Sequence, residues 1–356
     1  MGAILSFLQG FSGSFKAALL LWPLLSAALT LPLAAYLYHR DGRLRVSAVL
    51  AAYMAVLYIA GLGCFTLYPL PSGTEGPGIT YGIPPQLDPL NFVYDIQKDG
   101  LKAVFQLLFN VVLFVPLGFI AKRFLRLRLP ATALLSLATT LLIETAQLTG
   151  LFGLYPFAYR TFEVDDIINN TLGGILGWFA GRLLDRAGFT PEAPAVTLCR
   201  QPGFIRRSVA FWIDGLIMGA GSLVLWSAAS LIAELIFDRP FLLLGLDSAD
   251  TMALLSVPSA AALLIIVEGV IPWTHGGSTP GGMFTHMTFE TKPRSGGWRL
   301  LFYGLRMAVL ALALLYPPYA FPLLGIFYLI ARQMPYDLLP AAPPEQSRSL
   351  KEPPAP

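Results

Sequence analysis

The sequence consists largely of long apolar runs, each about the length that a lipid bilayer requires. A hydrocarbon core of roughly 30 Å needs about 20 apolar residues in a helix. Charge-bounded runs of this kind are found at 17–38, 46–68, 101–121, 130–149, 167–184, 209–237 and 252–273. A further segment, 300–330, would overrun the bilayer and contains Pro317 and Pro318, so we expect two short helices or one sharply broken helix. The sequence therefore predicts an all-α, polytopic helical membrane protein.

Composition excludes the other classes of protein. Hydrophobic residues make up 55% of the chain and charged residues only 13%, against about 25% in soluble domains, which excludes a single soluble fold. The 24 Phe, 14 Tyr and 6 Trp supply apolar surface that a disordered chain lacks. The formal net charge of +3 is spread over short clusters, so we expect the lipid bilayer, and no nucleic acid, as a partner.

Positive charge predicts the orientation, because loops rich in Lys and Arg stay in the cytoplasm. The loops around 39–45 and 122–128 are basic, whereas the loop at 69–100 is acidic and should lie outside. The first apolar run is longer than the core of a signal peptide, so we expect it to remain as an uncleaved membrane anchor. We expect a five-span bundle over 15–186, a Pro-rich linker at 187–202, a second membrane domain of three or four helices over 203–340, and a disordered tail at 341–356. The sequence indicates no particular oligomeric state.

Polar side chains occur inside the predicted spans of the first domain, where they are costly and by default functional or structurally paired. Asn110 lies in the third span, Glu144 and Gln147 share a face of the fourth, and the fifth begins near Asp165 and Asp166. The remaining members are Arg160, Asn169 and Asn170. We expect the set to converge at the outer boundary. Glycines at 173, 177 and 181 form a small-residue stripe for close helix packing.

These residues carry a family resemblance. The segments LFNVVLFVPLGF (108–119), IETAQL (143–148) and RTFEVDDIINNTLGG (160–174), with LNF at 90–92, resemble the VanZ-like family, which is named for a teicoplanin-resistance protein. The resemblance covers about 15–186. It implies a protein of the bacterial cytoplasmic membrane that acts on the cell envelope, in some members reducing sensitivity to lipoglycopeptides. By position it assigns the family's polar residues to Asn110, Glu144, Gln147, Arg160, Asp166 and Asn170.

The second domain has a different signature. The segments FIRRSVAFWIDGLI (204–217), GSTPGGMF (277–284) and RQMPYDLL (332–339) resemble the RDD family, whose name denotes one Arg and two Asp. The resemblance assigns these to Arg207, Asp214 and Asp337, and it implies transport of an ion or small molecule. Gly282 stands where the family usually has Lys, which weakens the case for an anion-binding loop. A structural alternative is that Asp214 pairs with Arg207 or Arg306.

Several readings of the outer polar set remain open. Arg160 could bind phosphate of a lipid-linked glycan or cell-wall precursor, and Glu144 could act as a general acid. Asp165 and Asp166 could ligate a divalent ion, although two adjacent residues rarely both coordinate. Alternatively, the set is a hydrogen-bond network that only joins the fourth and fifth spans. His275 and His286 lack further zinc ligands at suitable spacing, so we assign no metal site and no cofactor from the sequence. We leave open whether the protein is an enzyme.

Two functions follow from these readings. In the first, the protein recognises or modifies an envelope polymer or its lipid-linked precursor and so changes glycopeptide sensitivity. In the second, it is a small ion- or proton-coupled transporter in which Asp214, Asp337 and Glu144 carry charge. The dense polar cluster at one boundary, without a series of ionisable residues across the bilayer, favours the first.

Overall fold

The computed structural model describes residues 12–68, 84–155, 158, 160–189, 196–237 and 258–341. The described residues form helices and loops, with isolated bridges but no named strand. Apart from short turns at Gly150–Gly153 and Pro335–Leu338, the helices are α1 Ser12–Asp41, α2 Val46–Leu67, α3 Asn91–Asp99, α4 Leu101–Arg123, α5 Leu129–Leu148, α6 Val164–Arg186, α7 Phe204–Phe237, α8 Pro258–Thr274, α9 Pro280–Phe284, α10 Gly296–Leu315 and α11 Pro317–Ala331. The predicted all-α class is confirmed.

Six of the described helices are long and apolar enough to cross a membrane. They are α1, α2, α4, α5, α7 over Phe204–Ile232, and α10. The predicted fifth span, 167–184, lies within the 23-residue helix α6, which falls outside this set because it carries acidic and amide residues at its start and charged residues at its end. The predicted span 252–273 corresponds in part to α8, and its residues 252–257 lie outside the described ones.

The segment at 300–330 is broken, as its length and its prolines predict. Helix α10 ends at Leu315, and α11 begins at Pro317 after the non-helical residue Tyr316. Proline is well tolerated at the first position of a helix, where its missing N–H would have no partner. The break therefore produces two helices, of which the first is long enough to span a bilayer. The predicted tail lies outside the described residues beyond Ala341.

The chain divides into two compact units. Unit 1 comprises Met1–Thr30 and Arg45–Ala193, and unit 2 comprises Leu31–Leu44 and Pro194–Pro356. Helix α1 therefore contributes residues to both units, since Thr30 and Leu31 lie within it.

Unit 1 buries polar as well as apolar side chains and exposes many large apolar ones, unlike a water-soluble bundle. Helix α5 shows this clearly, because Leu134 and Leu142 are exposed on one side. Its other side buries a polar stripe of Thr132, Ser136, Thr140, Glu144 and Gln147. In a bilayer such side chains must find partners within the protein, so the stripe marks the face that packs against neighbouring helices.

Helices α4 and α6 pack with their backbones almost in contact. A Cβ atom added at Gly173 would lie 2.1 Å from the carbonyl oxygen of Val111, and one at Gly177 would lie 1.9 Å from that of Val115. No side chain larger than hydrogen fits at either position. The predicted glycine stripe is thus a packing surface, and its partner is α4.

Unit 2 is built around α7. Phe211 and Met218 of this helix pack against Val267 of α8 and Leu310 of α10. A second cluster joins Phe302 and Tyr303 of α10 to the C-terminal residues Met334 and Tyr336. Ala35 and Tyr38 of α1 pack on Val209.

Candidate functional site

The polar residues of unit 1 gather at one end of α4, α5 and α6. Asn110 belongs to the first half of α4, Glu144 lies in the last turns of α5, and Asp166 lies in the first turn of α6. The opposite ends of these helices are basic, and there Lys122 and Arg123 both pair with Asp185. We call the set Asn110, Glu144, Gln147, Arg160, Asp165, Asp166 and Asn170 the polar site.

Hydrogen bonds connect α6 to both of its neighbours. Asn110 Nδ2 donates to Asp166 Oδ1 at 2.5 Å, which joins α4 to α6. One turn further along α6, Asn170 Nδ2 donates to Thr140 Oγ1 of α5 at 2.9 Å. The two members of the sequence motif that lie four residues apart therefore face different helices. Asn169, the residue between these contacts, is only half-buried.

Helix α5 reaches the site through Glu144 and Gln147, which are buried. Glu144 Oε2 accepts a hydrogen bond of 3.2 Å from the backbone N–H of Glu163, immediately before α6. Gln147 Nε2 donates to the carbonyl oxygen of Thr66 in α2 at 2.8 Å. Glu144 thus fixes the entry to α6, whereas Gln147 points to a different helix and binds α2 to the bundle.

The entry to α6 is also fixed by a short parallel bridge. Gln86 N–H donates to Phe162 O at 2.8 Å, and Val164 N–H donates to Gln86 O at 3.1 Å. This pairing places Glu163 between its two bonded neighbours. The chain then continues from Gln86 into α3, which leads into α4 through Gly100.

An acidic cavity of about 200 Å³ lies beside the start of α6. Its ionisable lining residues are Asp95 and Asp99 of α3, Lys102 of α4, and Glu163, Asp165 and Asp166. We call this space the acidic cavity. Five carboxyl groups face it with one ammonium group, so it presents strong negative charge when the carboxyls are ionised.

Glu163 experiences this environment directly. Burial raises the pKa of Glu163 to about 7. Repulsion from neighbouring carboxylates, chiefly Asp166, acts in the same direction, whereas the guanidinium of Arg160 acts against it. Near neutral pH the Glu163 carboxyl can therefore exchange protons readily, and a nearby cation would stabilise its ionised form.

Arg160 is the exposed member of the polar site. Its guanidinium is close enough to interact electrostatically with Glu144, Glu163 and Asp166. An exposed Arg beside buried carboxylates leaves N–H donors that an anionic ligand could reach.

Sequence reasoning did not single out several residues of this site. Glu163 precedes α6, and Asp95 and Asp99 belong to the short polar helix α3. None of the three residues lies in an apolar run. The signal for Thr140 was present, because Thr132, Ser136, Thr140 and Glu144 recur every fourth residue along α5. That spacing alone indicates a polar face within an apolar helix.

Unit 2 contains a separate buried polar network, in which Arg207 pairs with Asp337. Arg207 Nη2 lies 2.7 Å from Asp337 Oδ2, and both side chains are almost fully buried. The same guanidinium donates to Pro202 O at 3.1 Å and to Tyr336 Oη at 3.3 Å. Burial raises the pKa of Tyr336, so its hydroxyl remains protonated at neutral pH. Two of the three signature residues of this unit thus bind each other.

Asp214, the third signature residue, binds the glycine-rich loop rather than a basic side chain. Its Oδ2 accepts from Thr279 Oγ1 at 2.6 Å, and its Oδ1 accepts from Gly281 N–H at 2.7 Å. A Cβ atom at Gly281 would lie 2.1 Å from Ala210 O, so only glycine permits this approach. The loop therefore uses its N–H and hydroxyl donors on an internal carboxylate. Gly282 N–H in turn donates to Thr279 Oγ1.

Arg306, which the sequence offered as a partner for Asp214, is paired with Glu268 instead. Both side chains are fully buried, and Arg306 also donates to the carbonyl oxygen of Glu268 at 2.7 Å. Glu268 lies in the π-helical turn Ile266–Val270 of α8. A buried ion pair of this kind holds α8 against α10.

Comparison with known proteins yields one family. Residues 54–185 match the model of the VanZ/LLP1 family. The match includes every residue of the polar site and covers less than half of the chain. Neither the curated proteins nor the solved structures include a match to the chain. Unit 1 is thus similar to VanZ/LLP1 proteins over its α2–α6 region.

Proposed function

We propose that unit 1 binds the polar head group of a lipid-linked cell-envelope precursor at the polar site, and thereby lowers sensitivity to glycopeptide antibiotics such as teicoplanin. The observation that carries this proposal is the juxtaposition of exposed Arg160 with the buried carboxyls of Glu144 and Asp166. Such a site combines donors for a phosphate with acceptors for sugar or peptide groups.

The position of the site along the helices supports recognition at the outer surface of the cytoplasmic membrane. The polar site lies at the end of α4, α5 and α6 that is opposite Lys122, Arg123 and Arg128. Because basic ends face the cytoplasm, the polar end faces outward. Head groups of lipid-linked precursors lie at this depth.

The charges of the site suggest which part of a head group each of its residues binds. Arg160 is accessible and suited to a phosphate oxygen pair. The carboxylates of the acidic cavity accept hydrogen bonds, so they suit hydroxyl or amide groups of an attached sugar or peptide. Glu144 is held by the N–H of Glu163 and can position or protonate a group that enters between them.

The test is teicoplanin sensitivity in a susceptible bacterium that expresses the wild type, Glu144→Gln or Arg160→Gln at membrane levels matched by immunoblot. We expect the wild type to raise the inhibitory concentration and both variants to lose this effect. Arg186→Gln is the matched control, because Arg186 is exposed at the far end of α6. Equal protection by the wild type and both site variants would remove the function from this site, and no protection by the wild type would overturn the proposal.

Transport is the alternative that the sequence left open, and the contacts in unit 2 do not favour it. Asp337 is engaged by Arg207, and Asp214 accepts two short hydrogen bonds. Both carboxylates are buried in arrangements that hold loops to helices. These contacts support a structural role for the signature residues of unit 2.

A further inference from the structure

Three carboxylates meet at the start of α6. Glu163, Asp165 and Asp166 each offer one oxygen, and these oxygens all lie within 4.8 Å of one another. Calcium binds oxygen ligands at about 2.3–2.6 Å, so two oxygens on opposite sides of one ion are about 4.8 Å apart. The three oxygens therefore lie close enough together to share one such ion.

Acidic residues in the first turn of a helix are common, because the positive end of the helix dipole stabilises them. A second observation distinguishes this cluster. Asp165 is only 4% exposed, and its Oδ1 atom has no hydrogen-bond partner among the described residues. A buried oxygen without a partner is costly, and Asp165 lines the acidic cavity. Asp165 thus carries a buried oxygen whose bonding capacity is not used by the described residues.

The charge of the cavity indicates which kind of ligand it needs. Asp95 and Asp99 on the α3 side add two further carboxyls, and Lys102 supplies the only positive charge among the lining residues. The lining contains neither His nor Cys, so its donor set suits hard cations that prefer oxygen. A cavity of about 200 Å³ accommodates such an ion together with several waters, each of about 30 Å³.

We propose that Glu163, Asp165 and Asp166 form a binding site for a hard divalent cation, Ca²⁺ or Mg²⁺. Glu163 adds a third ligand to the two adjacent aspartates, and its backbone is held before α6 by the bridge to Gln86. The cation site shares Asp165 and Asp166 with the polar site proposed to bind the head group, but cation binding itself requires no lipid-linked ligand.

The experiment is isothermal titration of CaCl₂, and separately of MgCl₂, into the chelator-treated full chain purified in detergent. We expect saturable binding of at least one of the two cations with one site per chain. Asp165→Asn and Glu163→Gln should weaken it at least about tenfold, because each removes a charged ligand. Asp99→Asn is the matched control: it removes the same charge from the cavity but leaves the three ligands, so we expect a much smaller loss.

The fold of each variant is monitored by the temperature at which Cys64 becomes reactive to a thiol probe, in a Cys199→Ser background. Cys64 is buried in α2 and reports on unit 1. If Asp165→Asn does not fold, Glu163→Gln still tests the site, because Glu163 precedes the helix and is half-buried.

Absence of saturable binding of both cations to the wild type would overturn the proposal. Equal losses in Asp99→Asn and the ligand variants would also overturn it, because they indicate diffuse attraction. The titration contains no lipid ligand, so its failure is distinguishable from failure of the head-group function.

Discussion

Asn110 of α4 and Asp166 of α6 are 56 residues apart in the chain, and a hydrogen bond of 2.5 Å joins their side chains. The bond lies at the end of the surface where α4 and α6 pack backbone to backbone. A buried carboxylate requires hydrogen-bond donors. Leaving a buried polar group without a partner costs about 1–3 kcal/mol of folding free energy, and the cost is larger for a charged group. Asn110 is therefore both a helix-joining residue and the group that permits Asp166 to occupy its place.

Asn110→Leu should destabilise unit 1 by about 1–3 kcal/mol, because it leaves Asp166 without this donor. The measurement is the temperature at which the Cys64 thiol becomes reactive in a Cys199→Ser background. Asn169→Leu is the control, since Asn169 is half-buried and lies on α6 away from this bond. Identical melting of the wild type and Asn110→Leu would show that the bond makes no net contribution.

Gly177→Ala should destabilise unit 1 by about 1–3 kcal/mol or more, since the added methyl group meets Val115 O and forces α4 away. Gly63→Ala in α2 provides the comparison. No atom lies within 4 Å of a Cβ at Gly63, so the same substitution there should be neutral or slightly stabilising. Cys64 reactivity measures both. A neutral Gly177→Ala would contradict the close approach of the two helices.

Arg306→Met should destabilise unit 2 by about 3–5 kcal/mol, because it leaves the carboxylate of Glu268 buried without its partner. The double variant Glu268→Leu with Arg306→Met removes both charges and should recover much of that loss. Thermal unfolding followed by circular dichroism completes the double-mutant cycle. Additive effects of the two substitutions would mean that the pair is not coupled.

Arg207→Lys should also destabilise unit 2, even though it preserves the charge. The guanidinium uses three separate nitrogens, Nε, Nη1 and Nη2, to reach Pro202 O, Tyr336 Oη and Asp337 Oδ2, a spread that the single nitrogen of an ammonium group lacks. We expect a loss of about 1–3 kcal/mol, measured by the same unfolding experiment. Arg186→Lys, at an exposed helix end, should have little effect. Equal stability of Arg207→Lys and the wild type would indicate that the ion pair alone matters.

The helices of this chain, and much of its polar site, follow from sequence patterns that act over short distances. Apolar length places the spans, and the i, i+4 spacing of Asp166 and Asn170 puts both on the inner side of α6. The spacing did not reveal that Asn110 binds one of them and Thr140 the other, because that depends on how α4 and α5 flank α6.

Glu163 and Asp337 show what the sequence could not provide. Glu163 lines the acidic cavity beside Gln86, which is far from it in the sequence and pairs with the residues on either side of it. Asp337 meets Arg207 because the chain returns to the start of α7 after α11. Both contacts join segments that are distant in sequence, and no local periodicity encodes them.

The division of α1 between the two units has a consequence for biosynthesis. Residues up to Thr30 belong to unit 1, whereas Leu31–Leu44 supply Ala35 and Tyr38 to the core of unit 2 around Val209. The last third of α1 can therefore reach these partners only after they are synthesised much later; His39 and Phe284, which stack, are 245 residues apart in the sequence. A chain begun at Pro194 would lack this segment. A gene fragment that begins at the linker would therefore encode an incomplete unit 2. Any exchange of this domain between proteins has to include the end of α1.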